Sequence, residues 1–438
     1  MTLLLLIFVN PLFASKRCPG QINLNTAISH PTLLCNQQQT AYLRIGLDGT
    51  APLEIADRVP VNIAIVIDKS GSMGGQKIEN AKSAAISAIQ RLRSNDIISV
   101  IAYDNEVTVV IPATKATDKD AIFKKIRKIQ TGGSTALHAG VCKGAAELRK
   151  FKDKNRANRI ILLSDGLANV GPQTPEQLGK LGGELIGESI SVTTIGLGLG
   201  YNEDLMSKLA FKSDGGHHFV EHAENLAKVF DAEFGMAMAI VAHQIDINIK
   251  CAEDIRPVRL LGREGKIKGQ NVTVGINQLY AEHEKYVILE VEIPATARNI
   301  EKKPLANVSV SYNKIATGEK ETLYSTSHVH FTNLQASVDK SVNSMVMIDV
   351  VEQIANEKNE MAVTLRDKGQ VDEAKKMLLG NAAYLNSNAA IYDSERLRQN
   401  EKDNKDDASN LSGAAWNKQR KSMRSRQTGS RTQNSYKK

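Results

Sequence analysis

The spacing of hydrophobic positions along this chain changes from one segment to the next, and each change marks a different kind of structure. In residues 21–58 and 243–337 the apolar residues alternate with polar ones. Leu43, Ile45 and Leu47 share one face, as do Ile245, Ile247 and Ile249, then Val287, Leu289, Val291 and Ile293, then Val308, Val310 and Tyr312. A period of two is that of half-buried antiparallel strands, so the two segments are expected to build one β-sandwich. Between them, residues 59–242 carry continuous apolar runs of strand length, Val61–Ile67, Ile97–Tyr103, Arg159–Leu163 and Ser191–Ile195. These alternate with helical repeats such as Ile78, Ala81, Ala85, Ile89 and Leu92. Strands without a polar face are covered on both sides, so this block reads as an α/β, doubly wound, mostly parallel sheet inserted into the sandwich. Asp104-Asn105 before Glu106–Ile111 predicts a tight hairpin and one antiparallel edge strand. From 338 to 392 the spacing becomes helical, with a stripe of Val342, Met345, Ile348, Val351 and Ile354 and a break at Lys368-Gly369-Gln370, which predicts a helical hairpin. Met345 and Met347 are expected in its core. Residues 393–438 are polar and read as disordered.

Composition adds little to this division until charge is considered. Hydrophobic residues make up 42% and charged residues 24%, with a net charge of +8. That excess is local: after Asp407 there is no further acid, while Lys418, Arg420, Lys421, Arg424, Arg426, Arg431, Lys437 and Lys438 supply eight positive charges. A specific nucleic-acid partner is therefore not expected for the folded part. The basic tail, with Trp416 beside it, is a candidate contact for an anionic surface. At the other end, Leu3–Val9, Leu12 and Phe13, followed by Ala14 and Ser15, read as a secretory signal peptide over residues 1–15. Export to a periplasmic, cell-surface or secreted location is the expectation. Beyond that leader no apolar stretch is long enough to span a membrane. Outside the cytoplasm Cys18, Cys35, Cys142 and Cys251 allow three pairings, of which Cys18 with Cys35 is favoured; Cys142 reads as an apolar filler of a helix.

The candidate chemistry lies at the ends of the middle strands. NIAIVI runs into Asp68-Lys69-Ser70-Gly71-Ser72, RIILLS into Asp165-Gly166, and Thr131-Gly132-Gly133-Ser134-Thr135 forms a Gly-rich loop between them. Two carboxylates and three hydroxyls, with no Cys or His, make a hard all-oxygen donor set at the carboxyl edge of a parallel sheet. Mg²⁺ suits such a set best, and Ca²⁺ or Mn²⁺ also fit.

Asp-x-Ser-x-Ser, a Thr in a Gly-rich loop and Ser-Asp-Gly together resemble the von Willebrand factor A-type domain with its metal-ion-dependent adhesion site. The resemblance implies that Asp68, Ser70, Ser72, Thr135 and Asp165 form the metal shell. It further implies that the ion keeps an open position for an Asp or Glu carboxylate of a protein partner. The runs VNIAIVIDKSGSM and TIGLGLGYNEDLMSKLA, with the adjoining Gly-Gly-His-His-Phe-Val, resemble exported bacterial proteins of this class. Their layout is similar to that of calcium-activated chloride channel regulators and inter-α-trypsin inhibitor heavy chains. A protein resembling these is expected to be a non-enzymatic, cation-dependent adhesion protein. Two other function classes are an intracellular assembly factor working beside an ATPase and a metal-dependent hydrolase, the latter disfavoured because Asp68 and Asp165 are both committed to the ion. Three rival motifs fail on their own terms. GSMGGQK lacks the spacing of a phosphate loop, and Ser70 stands where a phosphatase would carry its second acid. His218-Phe219-Val220-Glu221-His222 matches an inverted zinc-protease pattern, but follows Gly215-Gly216 into a short strand where a helix is needed. Asn202-Glu203-Asp204 reads as a helix start rather than as part of the metal site.

Overall fold

The computed structural model describes residues 22–50, 58–153 and 156–434. The chain opens with β1 (Ile22–Ile28), β2 (Thr32–Leu34) and β3 (Gln39–Gly49). The middle block then alternates, as β4 (Val61–Asp68), α1 (Gln76–Gln90), β5 (Ile97–Tyr103), β6 (Val107–Lys115), α2 (Lys119–Arg127), α3 (Leu137–Arg149), β7 (Ala157–Ser164), α4 (Pro175–Gly187), β8 (Ile190–Leu197), α5 (Glu203–Lys212), β9 (His217–Val220) and α6 (Leu226–Met238). Its sheet runs β6-β5-β4-β7-β8-β9. Every pairing is parallel except that of β6 with β5, which are joined by a turn in which Asp104 accepts the Glu106 N–H at 2.8 Å. Every residue of β4, β5, β7 and β8 is buried. Their continuous apolarity has that cause: α1, α2 and α6 cover one face through Ile89, Phe123 and Phe230, and α3, α4 and α5 cover the other through Leu148, Leu178 and Leu209. The doubly wound sheet expected from the sequence is present.

The chain returns to strands with β10 (Ile240–Cys251), β11 (Arg256–Leu261), β12 (Lys266–Lys268), β13 (Asn271–Tyr280), β14 (Glu284–Ile293), β15 (Ile300–Lys314) and β16 (Lys320–Thr332). Two sheets result, β1-β3-β14-β11 and β12-β13-β10-β15-β16-β2. The alternation of β10 is literal, with Ile245, Ile247 and Ile249 inside and their neighbours exposed. Strand β3 pairs with β14 along its length, from Asp48 opposite Glu284 to Gln39 opposite Ile293, so the sheet joins segments from either side of the middle block. Buried charges tie that block to the sandwich. Arg159 of β7 meets Glu233 and Gln278, each at 3.0 Å, and the Tyr280 hydroxyl. Asp214 accepts from Arg263 and Lys285, each at 3.1 Å, and from the Asn277 N–H at 2.9 Å.

The C-terminal region differs from the expectation in three respects. First, α7 (Gln335–Ser341), α8 (Ser344–Asp367) and α9 (Val371–Tyr392) are followed by α10 (Glu395–Ser409) and α11 (Gly413–Thr432), so the hairpin over 338–392 is only the start of a helical layer. The 393–438 segment is not disordered over its described residues. Its large apolar side chains are buried: Leu411, Trp416 and Met423 pack with Val363 and Leu378, and Trp416 also lies under the Arg366 guanidinium. Second, its charge is satisfied within the chain. Lys418 pairs with Glu221, Arg420 with Glu203, Asp204 and Asp367, Lys421 with Glu203, Arg424 with Asp204, Arg426 with Asp407 and Arg431 with Glu360. Six of the eight charges assigned to an anionic surface therefore have acidic partners within this molecule, while Lys437 and Lys438 lie outside the described residues. Third, Met345 is 54% exposed, because α8 turns Val346, Val350 and Gln353 inward instead. The expected leader, residues 1–15, also lies outside the described residues. So does Cys18, while Cys35, Cys142 and Cys251 are free thiols. Among the described residues no helix is long and apolar enough to cross a membrane.

Candidate metal centre

The parallel register sets the site. Ile67 lies opposite Leu163 and Asp68 opposite Tyr103, so Asp68, Ser164 and Asp165 emerge together at the carboxyl edge. Asp68 has no solvent exposure, and its carboxylate is held from both sides: Oδ1 accepts the Ser70 N–H at 2.8 Å and Oδ2 accepts the Ser164 hydroxyl at 2.7 Å. Ser70 Oγ lies 3.1 Å from Ser72 Oγ, and Ser72 Oγ donates to Asp165 Oδ1 at 2.6 Å.

Thr135 reaches the same place from the Gly-rich loop. That loop is pinned by Gly71 N–H to Gly133 O at 3.1 Å and Gly132 N–H to Lys69 O at 2.8 Å. Gly133 has φ +73°, a conformation that favours glycine, and a Cβ there would stand 2.1 Å from Asn105 Oδ1, so the Asn105 side chain would also have to move. On the far side Asn169 accepts the Thr135 N–H at 2.8 Å and donates its own N–H to Thr135 O at 3.2 Å. Gly166 gives a direct measure of convergence. A Cβ placed on it would lie 3.1 Å from Thr135 Oγ1, 3.3 Å from Ser72 Oγ and 3.8 Å from Ser70 Oγ. Asp68, Ser70, Ser72, Thr135 and Asp165 are thus brought into one cluster.

The electrostatics of that cluster favour a cation. Asp68 and Asp165 are 0% and 2% exposed. Burial pushes the Asp68 carboxyl above its usual range, hydrogen bonds from Ser70 and Ser164 pull it back, and the charge of Asp165 pushes it up again. One protein cation is close: Lys77 of α1 places Nζ 2.5 Å from Asp165 Oδ2 and 3.3 Å from Ser72 O. One ammonium against two buried carboxylates leaves a net negative pocket of hard oxygens, and such a donor set fits a divalent cation of the Mg²⁺, Ca²⁺ or Mn²⁺ type. Among the described residues no three His, Cys, Asp or Glu side chains converge, so the hydroxyls are needed to complete any shell.

Sequence reasoning quoted Ser164 within Ser-Asp-Gly but gave it no role, and missed Lys77 and Asn169. Ser164 was legible as the last residue of its strand, one before Asp165, whereas Lys77 and Asn169 are brought in by α1 and by the loop after Asp165. The other singled-out motifs lie elsewhere. Asn202 caps α5 by accepting the Leu205 N–H at 3.1 Å, and Glu203 and Asp204 turn to α11. His218 sits on strand β9 and meets Glu233 at 2.8 Å, whereas His222 lies past the strand's end, near Glu221.

Comparisons with known proteins agree with this architecture. Residues 62–232 match the profile of the von Willebrand factor type A domain. An uncharacterized protein of Synechocystis sp. is 34% identical over 173 residues, covering 40% of this chain and 40% of the relative. Inter-alpha-trypsin inhibitor heavy chain H3 of Bos taurus is 29% identical over 166 residues, covering 36% of this chain and 18% of the relative. The chain thus spans less than half the length of either relative. Among solved structures, the ArnB paralog VWA2 from Sulfolobus acidocaldarius superposes with a TM-score of 0.65 at 18% identity, over 95% of this chain and 99% of that one. That likeness is one of fold, and it extends through the sandwich and the helices. With a matching family profile, relatives of this class and a sheet whose carboxyl edge gathers the expected oxygens, the middle of this chain is a von Willebrand factor type A domain.

Proposed function

We propose that this protein is a non-enzymatic binding protein that uses a divalent cation, Mg²⁺ by preference, to grip an acidic group on a protein partner. One observation carries the reading: three hydroxyl oxygens gather around Gly166 at the carboxyl edge of the sheet, with the buried carboxylates of Asp68 and Asp165 hydrogen-bonded beside them. Neutral hydroxyls make up most of that donor set, so a bound ion would keep much of its positive charge and recruit an outside carboxylate. Ser70, Ser72 and Thr135 would hold the ion, with Asp68 and Asp165 supplying the charge. Both carboxylates are engaged with these hydroxyls or their neighbours, so neither is placed to act as a general base, which supports binding over hydrolysis.

Export of the chain is part of the same proposal and rests on the apolar run Leu3–Val9 ahead of Ala14 and Ser15. Sequencing the N-terminus of the mature protein checks it.

The binding reading is tested with the full chain and its Asp68→Ala variant. Mg²⁺ calorimetry should give a binding heat for the wild type and none for the variant, with the fold retained because the site lies at the sheet edge. Capture of partners from a surface extract should be lost with chelator and with Asp68→Ala alike. Equal Mg²⁺ affinity in the two proteins, or capture indifferent to chelator, would sink the proposal.

A further inference from the structure

Helix α11 comes from the far end of the chain, yet it grips a loop that touches the metal centre. Lys421, 2% exposed, donates from Nζ to Tyr201 O at 2.9 Å and pairs with Glu203 at 2.5 Å. The same ammonium lies 4.5 Å from the centroid of the Tyr201 ring. Arg420, the residue before it, pairs with Glu203 at 2.5 Å, and one turn earlier Asn417 Nδ2 donates to Leu199 O at 3.4 Å. The 199–203 segment is thus held at two carbonyls and one carboxylate by consecutive turns of a single helix.

That segment lies against the metal loop. Gly200 packs on the backbone of Asp165 so closely that a Cβ on it would stand 2.7 Å from Asp165 O. Asp165 bears one of the two site carboxylates, and the next residue, Gly166, is the point around which the three hydroxyls gather. A shift of the 199–203 segment therefore acts on the backbone that aims Asp165 through the close approach of Gly200 to the Asp165 carbonyl.

We infer that α11 regulates cation binding by clamping the 199–203 segment against the Asp165 loop, with Lys421 as the positioning residue. This rests on the cation-binding reading above and extends it: the C-terminal helix and the ion stabilise each other. A signal or partner that lifts α11 would loosen the site, and a bound ion would tighten α11. Linkage requires the two effects to be equal in free energy.

The test uses the full chain. Mg²⁺ calorimetry is run on the wild type, on Lys421→Met, and on Arg426→Met as a control on the same helix, since Arg426 pairs with Asp403 and Asp407 of α10 and not with the 199–203 segment. Lys421→Met should bind Mg²⁺ about three- to tenfold more weakly, a size typical of coupling through packed networks. Arg426→Met should bind as the wild type does. In the wild type, Mg²⁺ should slow amide exchange across residues 414–424, a readout that a purely structural role for Lys421 would not move. It also decides the matter alone if Lys421→Met fails to fold. Unchanged affinity in Lys421→Met, equal weakening in both variants, or exchange in α11 indifferent to Mg²⁺ each overturns the coupling while leaving the binding site intact. A wild type that binds no divalent cation removes the binding reading itself, and the coupling with it.

Discussion

At the scale of single residues, the buried charges of Arg159, Asp214 and Glu233 are each held by partners. Glu233, 1% exposed, is the clearest case. Burial by itself would raise its carboxyl above the usual value of 4.5, but the His218 hydrogen bond and the Arg159 charge outweigh burial and hold it down at about 2. A depressed carboxyl stabilises the fold above its unfolded value, and that contribution is lost as pH falls through the folded value. Stability to denaturant should therefore decline between about pH 4.5 and about pH 2. Glu233→Gln should be less stable at neutral pH, since Arg159 loses its ion pair, but should show a shallower decline over that window. Urea midpoints measured across it check the sign, and parallel declines would mean that Glu233 is not the group responsible. Asp68 stands in contrast, since burial leaves its carboxyl above the usual range instead of below it. The two acids differ in what surrounds them: Glu233 faces a guanidinium and an imidazole, Asp68 faces hydroxyls and a second carboxylate.

At the scale of elements, α11 most changes the picture that the sequence presents. Its composition is that of a solvated basic tail, and it has only two large apolar side chains, Trp416 and Met423. Both are buried, and the six described basic residues find acids on α5, on β9's trailing loop and on the neighbouring helices. Trp416 is 8% exposed and stacks beneath Arg366 at 4.9 Å. Trp416→Ala should destabilise the helical layer by about 3 kcal/mol, the range for removing a buried aromatic. A thermal unfolding curve unchanged by the substitution would show that the helix does not dock. Because these six charges are already paired, replacing Lys418 and Arg426 together by alanine should leave the retention of the intact protein on anionic vesicles at low salt unchanged. Retention lost with the double substitution would return the segment to the role of a surface tether.

At the scale of the whole molecule, the type A domain is less separable than its position in the chain implies. Asp214 reaches Arg263 and Lys285 of the sandwich, Arg159 reaches Gln278 and Tyr280, and Glu203 and Asp204 reach α11. Cutting out residues 59–239 exposes these groups and the surfaces around them. The fragment should fold, since both faces of its sheet keep their own helices, but should melt below the intact chain. A fragment of residues 243–337 lacks β3, the partner of β14 over ten residue pairs, and should not fold. Calorimetric melting of both fragments checks the pair of expectations, and a cooperative transition in 243–337 would show that the sandwich does not need its N-terminal strands.

The features that the sequence by itself determined are local and periodic. Continuous apolarity in Val61–Ile67 and Arg159–Leu163 specifies strands covered on both faces. Because such strands run parallel, Asp68 and Asp165 at their ends stand at one edge, and the pairing of β4 with β7 then brings them together. The alternation in Ile245, Ile247 and Ile249 specifies a half-buried strand in the same direct way. The placement of Lys77 and Asn169 beside the site depended on how α1 and the loop after Asp165 pack. The order in 393–434 depended on more distant partners still. Few of the side chains that order α11 lie within the helix itself: the acids that neutralise it stand at positions 203, 204, 221, 360, 367, 403 and 407. Hydrophobic periodicity reports what a segment buries by its own pattern, but a helix whose polar face is buried against opposite charge carries no such pattern. Only the tertiary structure, by bringing those acids to it, decided that this basic segment is part of the fold.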